Sequence, residues 1–176
     1  MYKKKERVVS MKSIVFAGGC FWGVQAYLKQ IEGVKFTEVG YANGKTISPS
    51  YEDVSNGSGH AEAVAVCFDS NILTTRRLIN LFFDIIDPTS INRQGNDVGV
   101  QYRTGIFSQT NAQEELIIKE VEKLSKKIKK DVNIELTPLR NFYRAEDHHQ
   151  NYLDKNPNGY CHIPKSMLKK EISAEI

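Results

Sequence analysis

Apolar and polar residues repeat along this chain with two periods, one near two residues and one near 3.6 residues, which predict strands and helices. Strands are predicted at Ser13–Ala17, Val34–Tyr41, Glu62–Phe68, Tyr102–Phe107 and Val132–Leu136. Helices are predicted from about Phe21 to Gly33, around Leu78–Ile85, from Thr110 to about Ile128, and at Glu146–Leu153. Thr110 and Gln113 predict a capping box at the start of the third of these helices. Residues 42–60 and 89–99 are predicted to be loops.

The order of these elements predicts an α+β domain. Strand, helix, strand, strand, helix, strand, helix and strand follow one another, which suits helices packed on a mixed or antiparallel sheet, and a split βαβ arrangement agrees with it. No repeat or low-complexity linker interrupts the chain, so we expect one domain over residues 11–176 after a disordered lead-in at residues 1–10. From about Asn156 the composition predicts a flexible tail.

Length and charge narrow the class of protein. The chain has 176 residues, 40% of them hydrophobic, and a formal net charge of +3, which suits a soluble domain and gives no reason to expect nucleic acid as a partner. No apolar run is long enough to cross a membrane. The run Ile14–Ala17 before Cys20 is also too short for a signal peptide, which needs about 7–15 apolar residues. We expect a cytoplasmic monomer.

The three cysteines, Cys20, Cys67 and Cys161, are too few and too widely spaced for a disulfide scaffold. The chain contains no CxxC pair, so a zinc site built on thiolates is not expected. His148 and His149 are adjacent on a predicted helix and should not face each other, so no metal site is expected there either. Each cysteine is then a small buried residue or a reactive thiol.

Cys20 lies where a strand passes through Gly18 and Gly19 into the start of a helix. The free N–H groups and the dipole of that helix should favour a thiolate and lower the pKa of the thiol. Phe21 and Trp22 follow and could line an apolar pocket. The alternative is that Cys20 is a core residue and the two aromatic side chains only pack.

Glu62 shares one face of its predicted strand with Val64, Val66 and Phe68. A carboxylate on an apolar face should be partly desolvated, which raises its pKa and makes it a proton donor near neutral pH. The alternative, that Glu62 lies at the strand edge and reaches water, stays open. Cys67 points to the opposite face with several alanines, where we expect close packing of a helix.

Cys161 lies among Asn, Pro and Gly residues, in a segment expected to be exposed and mobile. Such a cysteine is poor packing material and could swing toward another thiol. Tyr41, Asp97 and Tyr102 lie at strand ends or in loops. Each could donate or accept a hydrogen bond at a site, and each could equally be ordinary surface.

Several sequence blocks resemble the A-type peptide methionine sulfoxide reductases, in the order found in that family, from about Ile14 to Cys161. The signature block is Gly19-Cys20-Phe21-Trp22-Gly23. The other blocks are Gly40-Tyr41-Ala42, Gly59-His60-Ala61-Glu62-Ala63-Val64, Asp87-Pro88-Thr89, Asn92-Arg93-Gln94-Gly95-Asn96-Asp97, Gln101-Tyr102-Arg103, Ala145-Glu146-Asp147 with His149-Gln150, and Gly159-Tyr160-Cys161.

The resemblance implies a two-layer α/β sandwich of ferredoxin-like type and reduction of the S epimer of methionine sulfoxide, free or in peptides. It implies that Cys20, as a thiolate, attacks the sulfur and that Glu62 protonates the departing oxygen. Tyr41, Tyr102 and Asp97 would form the polar side of the pocket, and Phe21 and Trp22 would hold the substrate methyl group. Cys161 would resolve the Cys20 sulfenic acid as a disulfide, which thioredoxin, or dithiothreitol in vitro, would reduce. No cofactor is implied.

The chain departs from some relatives in having no further cysteine in residues 162–176, which favours a direct Cys20–Cys161 bond over a longer relay. Thr104 also replaces a serine found in many members. One alternative function is a cysteine hydrolase or acyltransferase with His60 or His149 as the base, which would not need Cys161. Another is a non-enzymatic redox sensor in which Cys20 is oxidised without turnover.

Overall fold

A computed structural model describes residues 8–168 and 170–175 of the chain. The strands are β1 (Met11–Gly18), β2 (Val34–Ala42), β3 (Ala61–Asp69), β4 (Arg93–Gln94), β5 (Asp97–Val98), β6 (Thr104–Ser108), β7 (Glu135–Pro138) and β8 (Phe142–Arg144). The helices are α1 (Phe21–Leu28), α2 (Tyr51–Ser55), α3 (Thr75–Phe83), α4 (Asn111–Ile128) and α5 (Tyr152–Lys155). Short 3₁₀ turns cover Val100–Tyr102, Asp147–His149 and Lys165–Met167.

Six strands form one mixed sheet in the order β7-β6-β1-β3-β2-β8. The four central strands, β6-β1-β3-β2, are antiparallel to one another, and α1 and α3 connect them in the ferredoxin-like βαββαβ order. The edge strand β7 runs parallel to β6, and the edge strand β8 runs antiparallel to β2. The predicted α+β sandwich with a mixed sheet is confirmed.

The main core lies between the sheet and helices α1, α3 and α4. Phe16 of β1 and Phe82 of α3 pack with ring centroids 4.6 Å apart, and Val64 and Val66 of β3 are fully buried on the same face. The opposite face carries Ala61, Ala63 and Val15. The expectation that a helix covers this alanine face is wrong, because strand residues and the connection between β7 and β8 cover it instead. The side chains at this second core are Phe107, Leu139 and Phe142.

Several element boundaries differ from the sequence prediction. Helix α1 ends at Leu28 and not at Gly33, because Ile31 forms a bridge with Ile172 instead of continuing the helix. The predicted loops contain α2, β4 and β5. The last strand begins at Glu135, one further strand, β8, follows it, and the predicted helix at Glu146–Leu153 is split into a 3₁₀ turn and α5.

Helix α4 begins where the sequence predicts, and its cap differs in one bond. The Thr110 hydroxyl accepts a hydrogen bond from the Gln113 N–H at 3.2 Å. The Gln113 side chain accepts from the Gln109 N–H at 2.9 Å and not from Thr110 itself. The cap is therefore one half of the expected capping box, with the second bond moved back by one residue.

The chain ends make more contacts than their composition suggested. Residues 1–7 of the expected lead-in lie outside the described residues, while the Ser10 carbonyl accepts a hydrogen bond from Ser70. From Asn156 onward the chain has little regular structure, but Ile163 is 2% exposed and Ala174 is 9% exposed. Within residues 8–168 and 170–175, every helix is too short or too polar to cross a lipid bilayer.

Candidate active site

Cys20 occupies the N-cap position of α1, as the two preceding glycines indicated, and its side chain makes no capping hydrogen bond. Gly19 adopts a left-handed backbone conformation with φ of 83°, and a Cβ atom there would lie 2.5 Å from Cβ of Gln94. A residue with a side chain therefore cannot replace Gly19 without strain and displacement of Gln94. Cys20 itself is 7% exposed.

The environment of Cys20 raises the pKa of its thiol in the substrate-free protein, mainly because the thiol is buried and also because the charge of Glu62 disfavours a thiolate. The backbone N–H of Trp22 lowers the pKa, but by less. The prediction that the helix N-terminus lowers this pKa overall is therefore wrong. The helix supplies the expected N–H group, but desolvation outweighs it.

Glu62 lies on β3 next to the start of α1 and is 2% exposed. Its Oε2 accepts a hydrogen bond from the Phe21 N–H at 3.0 Å. Burial raises the pKa of Glu62 to about 8, the Phe21 N–H opposes this shift, and the charge of Asp97 adds to it. Of the two alternatives for Glu62, the structure shows a buried carboxylic acid. It does not show a residue that reaches water at the strand edge.

The polar residues expected at the site lie near enough to Glu62 for their charges to influence one another. Tyr41 lies opposite Glu62 in the register of β2 and β3, and its hydroxyl donates to both carboxylate oxygens of Glu146 at 3.2 Å. Burial and the charge of Glu62 raise the pKa of Tyr102. Asp97 on β5 accepts a hydrogen bond from the Tyr160 hydroxyl at 3.0 Å.

The two aromatic residues after Cys20 occupy different environments. Phe21 is 1% exposed and belongs to the main core, with its ring 5.9 Å from that of Tyr41. Trp22 is partly buried, and its ring stacks on Tyr152 with centroids 3.6 Å apart and planes 11° apart. The Trp22 Nε1–H donates to Nδ1 of His149 at 3.1 Å. This indole is thus fixed from one face and from its edge.

Cys161 lies against the first turn of α1. A Cβ atom on Gly23 would lie 2.6 Å from Cys161 Sγ, and this sulfur accepts a hydrogen bond from the Ile163 N–H at 3.3 Å. Burial raises the pKa of the Cys161 thiol. Cys67 pairs with Ser13 and Phe36 in the strand register and lies on the face of β3 opposite Glu62, as alternation predicted.

The sequence did not identify His162 as a residue of the site. Its side chain is 4% exposed, with Nδ1 3.8 Å from Asp97 Oδ2, and burial lowers its pKa. The only sequence signal was its place next to Cys161, in a segment whose composition predicted exposure. Glu146 and His149 lie in blocks that resemble the family, but nothing in their spacing predicted contact with Tyr41 and Trp22.

The histidines are not arranged as a base for Cys20. His60 Nδ1 hydrogen-bonds to the Ser58 hydroxyl at 2.9 Å. The indole N–H can only donate, so Nδ1 of His149 must use its lone pair to accept it. Among the described residues no histidine hydrogen-bonds to Cys20 Sγ. A cysteine hydrolase or acyltransferase with His60 or His149 as its base would therefore lack the hydrogen bond between that base and Cys20.

Glu146, His148 and His149 place three ligand atoms within 4.8 Å of one another. The rings of the two histidines are 4.0 Å apart, so the expectation that these neighbours do not face each other is wrong, because they lie on a 3₁₀ turn. A metal ion at Nε2 of His149 would move the ring proton to Nδ1 and break the bond to Trp22. The hydrogen-bond pattern thus argues against metal binding here.

Two thiols at one helical turn can together give up two electrons, whereas a hydrolase would need only one thiol. A buried acid that keeps its proton near neutral pH adds the means to protonate an oxygen atom. The fold and the site therefore define a thiol-dependent oxidoreductase.

A family model described as peptide methionine sulfoxide reductase matches residues 12–176. A peptide methionine sulfoxide reductase MsrA of Clostridium acetobutylicum is 52% identical over 161 residues, which cover 91% of this chain and 99% of the relative. The chain belongs to the peptide methionine sulfoxide reductase family, A type, and its reaction is the reduction of methionine sulfoxide.

Solved structures agree with this family. The reduced form of Mxr1 from Saccharomyces cerevisiae superposes with a TM-score of 0.83 at 36% identity, covering 90% of this chain and 92% of that chain. Mxr1 in complex with Trx2 superposes with a TM-score of 0.59 at 25% identity, covering 85% of this chain and 89% of that chain.

Proposed function

We propose that this enzyme reduces the S epimer of methionine sulfoxide, free or in peptides, with Cys20 as the nucleophile and Glu62 as the proton donor. The observation that carries this proposal is the position of Glu62. Its carboxyl group binds the first N–H of the helix whose N-cap position Cys20 occupies, and burial raises its pKa to about 8. An acid that is protonated at pH 7 thus stands beside the thiol.

In the first step the Cys20 sulfur attacks the sulfoxide sulfur while Glu62 donates its proton to the oxygen. The S–O bond to methionine breaks, methionine leaves as a thioether, and the oxygen passes to Cys20 as a sulfenic acid. The thiol proton replaces the proton that Glu62 gave up. The sulfoxide gains two electrons, which Cys20 loses.

The pocket around the sulfoxide has an apolar side and a polar side. Phe21 and Trp22 would form the side that holds the methyl group. Trp22 is partly buried with one ring face fixed on Tyr152, and Phe21 is a core residue that would support this side from within. Tyr41, Tyr102 and Asp97 would order the oxygen side. Their hydroxyl and carboxylate groups lie close to Glu62, as its contribution to the raised pKa of Tyr41 and Tyr102 indicates.

In the second step the Cys161 thiol attacks the sulfur of the Cys20 sulfenic acid. A disulfide forms and the oxygen leaves as water, so the two thiols have supplied two electrons in all. The contact of Cys161 with Gly23 supports this role, because both cysteines then lie at the first turn of α1. The structure of Mxr1 bound to Trx2 supports thioredoxin as the reductant of this disulfide.

We further propose that the enzyme acts as a monomer in the cytoplasm on oxidised proteins, and that it repairs them after oxidative stress without a bound cofactor. The three widely spaced cysteines support a reducing compartment, because an oxidising one favours structural disulfides.

The test is turnover of the separate S and R epimers of a peptide-bound methionine sulfoxide with dithiothreitol. We expect reduction of the S epimer, loss of activity in Cys20→Ser, and full activity in the matched control Cys67→Ser. Without reductant, one equivalent of methionine should form and mass spectrometry should detect a Cys20–Cys161 disulfide. Reduction of neither epimer by the folded protein would disprove the proposed reaction. A Cys20–Cys67 bond would disprove the role of Cys161.

A further inference from the structure

A chain of polar contacts joins the apolar side of the pocket to its oxygen side. Trp22 Nε1 donates to Nδ1 of His149 at 3.1 Å. Nε2 of His149 lies 3.4 Å from Oε2 of Glu146, and the Tyr41 hydroxyl donates to both oxygens of that carboxylate at 3.2 Å. The mechanism above gives no role to the two middle residues.

The direction of each proton in this chain follows from what its groups can donate and accept. The indole N–H of Trp22 only donates, so Nδ1 of His149 must accept. Burial lowers the pKa of His149, so the ring is neutral and carries its one proton on Nε2. The Glu146 carboxylate, which can only accept, lies 3.4 Å from Nε2 and within reach of that proton, but outside hydrogen-bond geometry in the substrate-free protein.

The hydroxyl proton of Tyr41 is therefore committed to Glu146. A tyrosine has a single hydroxyl proton, and Tyr41 is fully buried, so no bulk water competes for it. In the free enzyme the Tyr41 oxygen therefore has only lone pairs left to offer to a further partner. Lone pairs would repel the oxygen of a sulfoxide.

We propose that Glu146 and His149 are positioning residues that lie against each other, with Glu146 holding the Tyr41 proton and His149 holding the Trp22 indole. Tyr41 can then donate to the substrate oxygen only by giving up its bond to Glu146. This inference rests on the proposed function, since it concerns the oxygen of a bound sulfoxide. This inference distinguishes Tyr41 from Tyr102, because the Tyr102 hydroxyl makes no hydrogen bond to a carboxylate among the described residues.

Because Tyr41 must exchange its hydrogen bond to Glu146 for one to the substrate, we predict that its hydroxyl contributes little to the rate in the wild-type enzyme. One hydrogen bond is lost and one is formed, so the two nearly cancel. In Glu146→Gln the amide oxygen would accept from Nε2 of His149, which needs an acceptor. The amide N–H₂ would then donate to the Tyr41 oxygen, and the hydroxyl proton would be free for the substrate.

The experiment is a double-mutant cycle with Tyr41→Phe, Glu146→Gln and the combined variant. The measured quantity is the second-order rate constant for methionine formation in a single turnover without reductant. We expect Tyr41→Phe to lower it by less than about threefold in the wild-type background and by about tenfold in the Glu146→Gln background. Equal losses in both backgrounds would overturn the proposal. The matched control is Glu122→Gln, on the exposed face of α4.

This design separates the inference from the proposed function. A wild-type enzyme that forms no methionine would disprove the function itself. A wild-type enzyme that forms methionine but shows no coupling between Tyr41 and Glu146 would disprove the inference alone.

A second readout uses the single tryptophan of the chain, since Trp22 is the only source of indole fluorescence. Glu146→Gln keeps an acceptor for His149 and should leave the Trp22 emission maximum and anisotropy unchanged. Glu146→Ala removes the acceptor, so His149 should move and both quantities should change. Unchanged Trp22 fluorescence in Glu146→Ala would show that His149 does not link the two sides of the pocket.

Discussion

At the scale of single residues, the proton of Glu62 is held by two opposing effects. Burial raises its pKa and the Phe21 N–H lowers it, with burial the larger cause. Glu62 also disfavours the Cys20 thiolate when it is charged. The two groups are therefore linked, since a protonated Glu62 removes one obstacle to ionisation of the thiol.

The first prediction concerns pH and Glu62. The donor form of Glu62 is present below its pKa of about 8, so the single-turnover rate should lose this proton donor as pH rises through about 8. Glu62→Gln should lower the rate at pH 7 by about 10²–10⁴-fold, which is the usual contribution of a general acid, and should abolish this alkaline loss. The measurement is methionine formation between pH 6 and 10, with Glu122→Gln as the control.

A Glu62→Gln enzyme with the wild-type rate at pH 7 would contradict the acid role. The sequence was sufficient to single out Glu62, because the apolar face of β3 is visible in the alternation. The sequence was not sufficient for the pKa of Cys20, because its helix N-terminus is local while the burial that outweighs it comes from segments far along the chain.

At the scale of elements, helix α1 brings the two thiols together. Cys20 occupies its N-cap position, and Cys161 packs on its first turn where Gly23 has no side chain. The periodicity of the sequence predicted this helix and its start. It did not predict that a cysteine of the C-terminal segment packs against Gly23, because that contact joins residues more than a hundred positions apart.

The prediction at this scale is that Gly23→Ala slows formation of the Cys20–Cys161 disulfide. The new methyl group would lie 2.6 Å from Cys161 Sγ, so the sulfur must move away, and a displacement near 1 Å can cost roughly 100-fold in rate. We expect disulfide formation, followed by mass spectrometry after one turnover, to slow by roughly tenfold or more. Gly57→Ala is a matched control, because a Cβ there meets no atom within 4 Å.

Wild-type kinetics of disulfide formation in Gly23→Ala would show that Cys161 reaches Cys20 by another route. The left-handed backbone of Gly57 also disfavours a side chain, so Gly57→Ala controls for general destabilisation. If Gly57→Ala keeps the wild-type rate, destabilisation does not explain a slower rate in Gly23→Ala.

At the scale of the whole molecule, the C-terminal segment closes one side of the domain. Ile163 is 2% exposed in the main core, Ile172 bridges to Ile31, and the side chain of His162 is buried next to Asp97. The segment therefore belongs to the packed core as well as to the site. Its sequence has no helical or strand period, so these contacts were outside what periodicity predicts.

The prediction at this scale is that Ile163→Ala destabilises the whole domain and loosens the segment that carries Cys161. Removing a buried isoleucine side chain costs about 2–5 kcal/mol in the free energy of unfolding. We expect a lower urea midpoint and faster proteolysis after Asn156. The control Ile118→Ala, at a position 39% exposed on α4, should change the stability by less than about 0.5 kcal/mol.

If Ile163→Ala were as stable as Ile118→Ala, the C-terminal segment would not contribute to the core in solution. If it were destabilised without faster proteolysis of the segment, Ile163 would support the core without holding Cys161 in place.

Local period and motifs were enough to predict the α+β class, the start of α1 at Cys20, the apolar strand face that Glu62 shares, and the family. The folded structure was needed for the burial of Glu62, the raised pKa of Cys20, the packing of Cys161 on Gly23 and the contacts that run from Trp22 to Tyr41. The physical reason is that burial and hydrogen-bond pairing depend on residues that are distant in sequence. Local patterns determine which side chain points inward, and packing determines what it meets there.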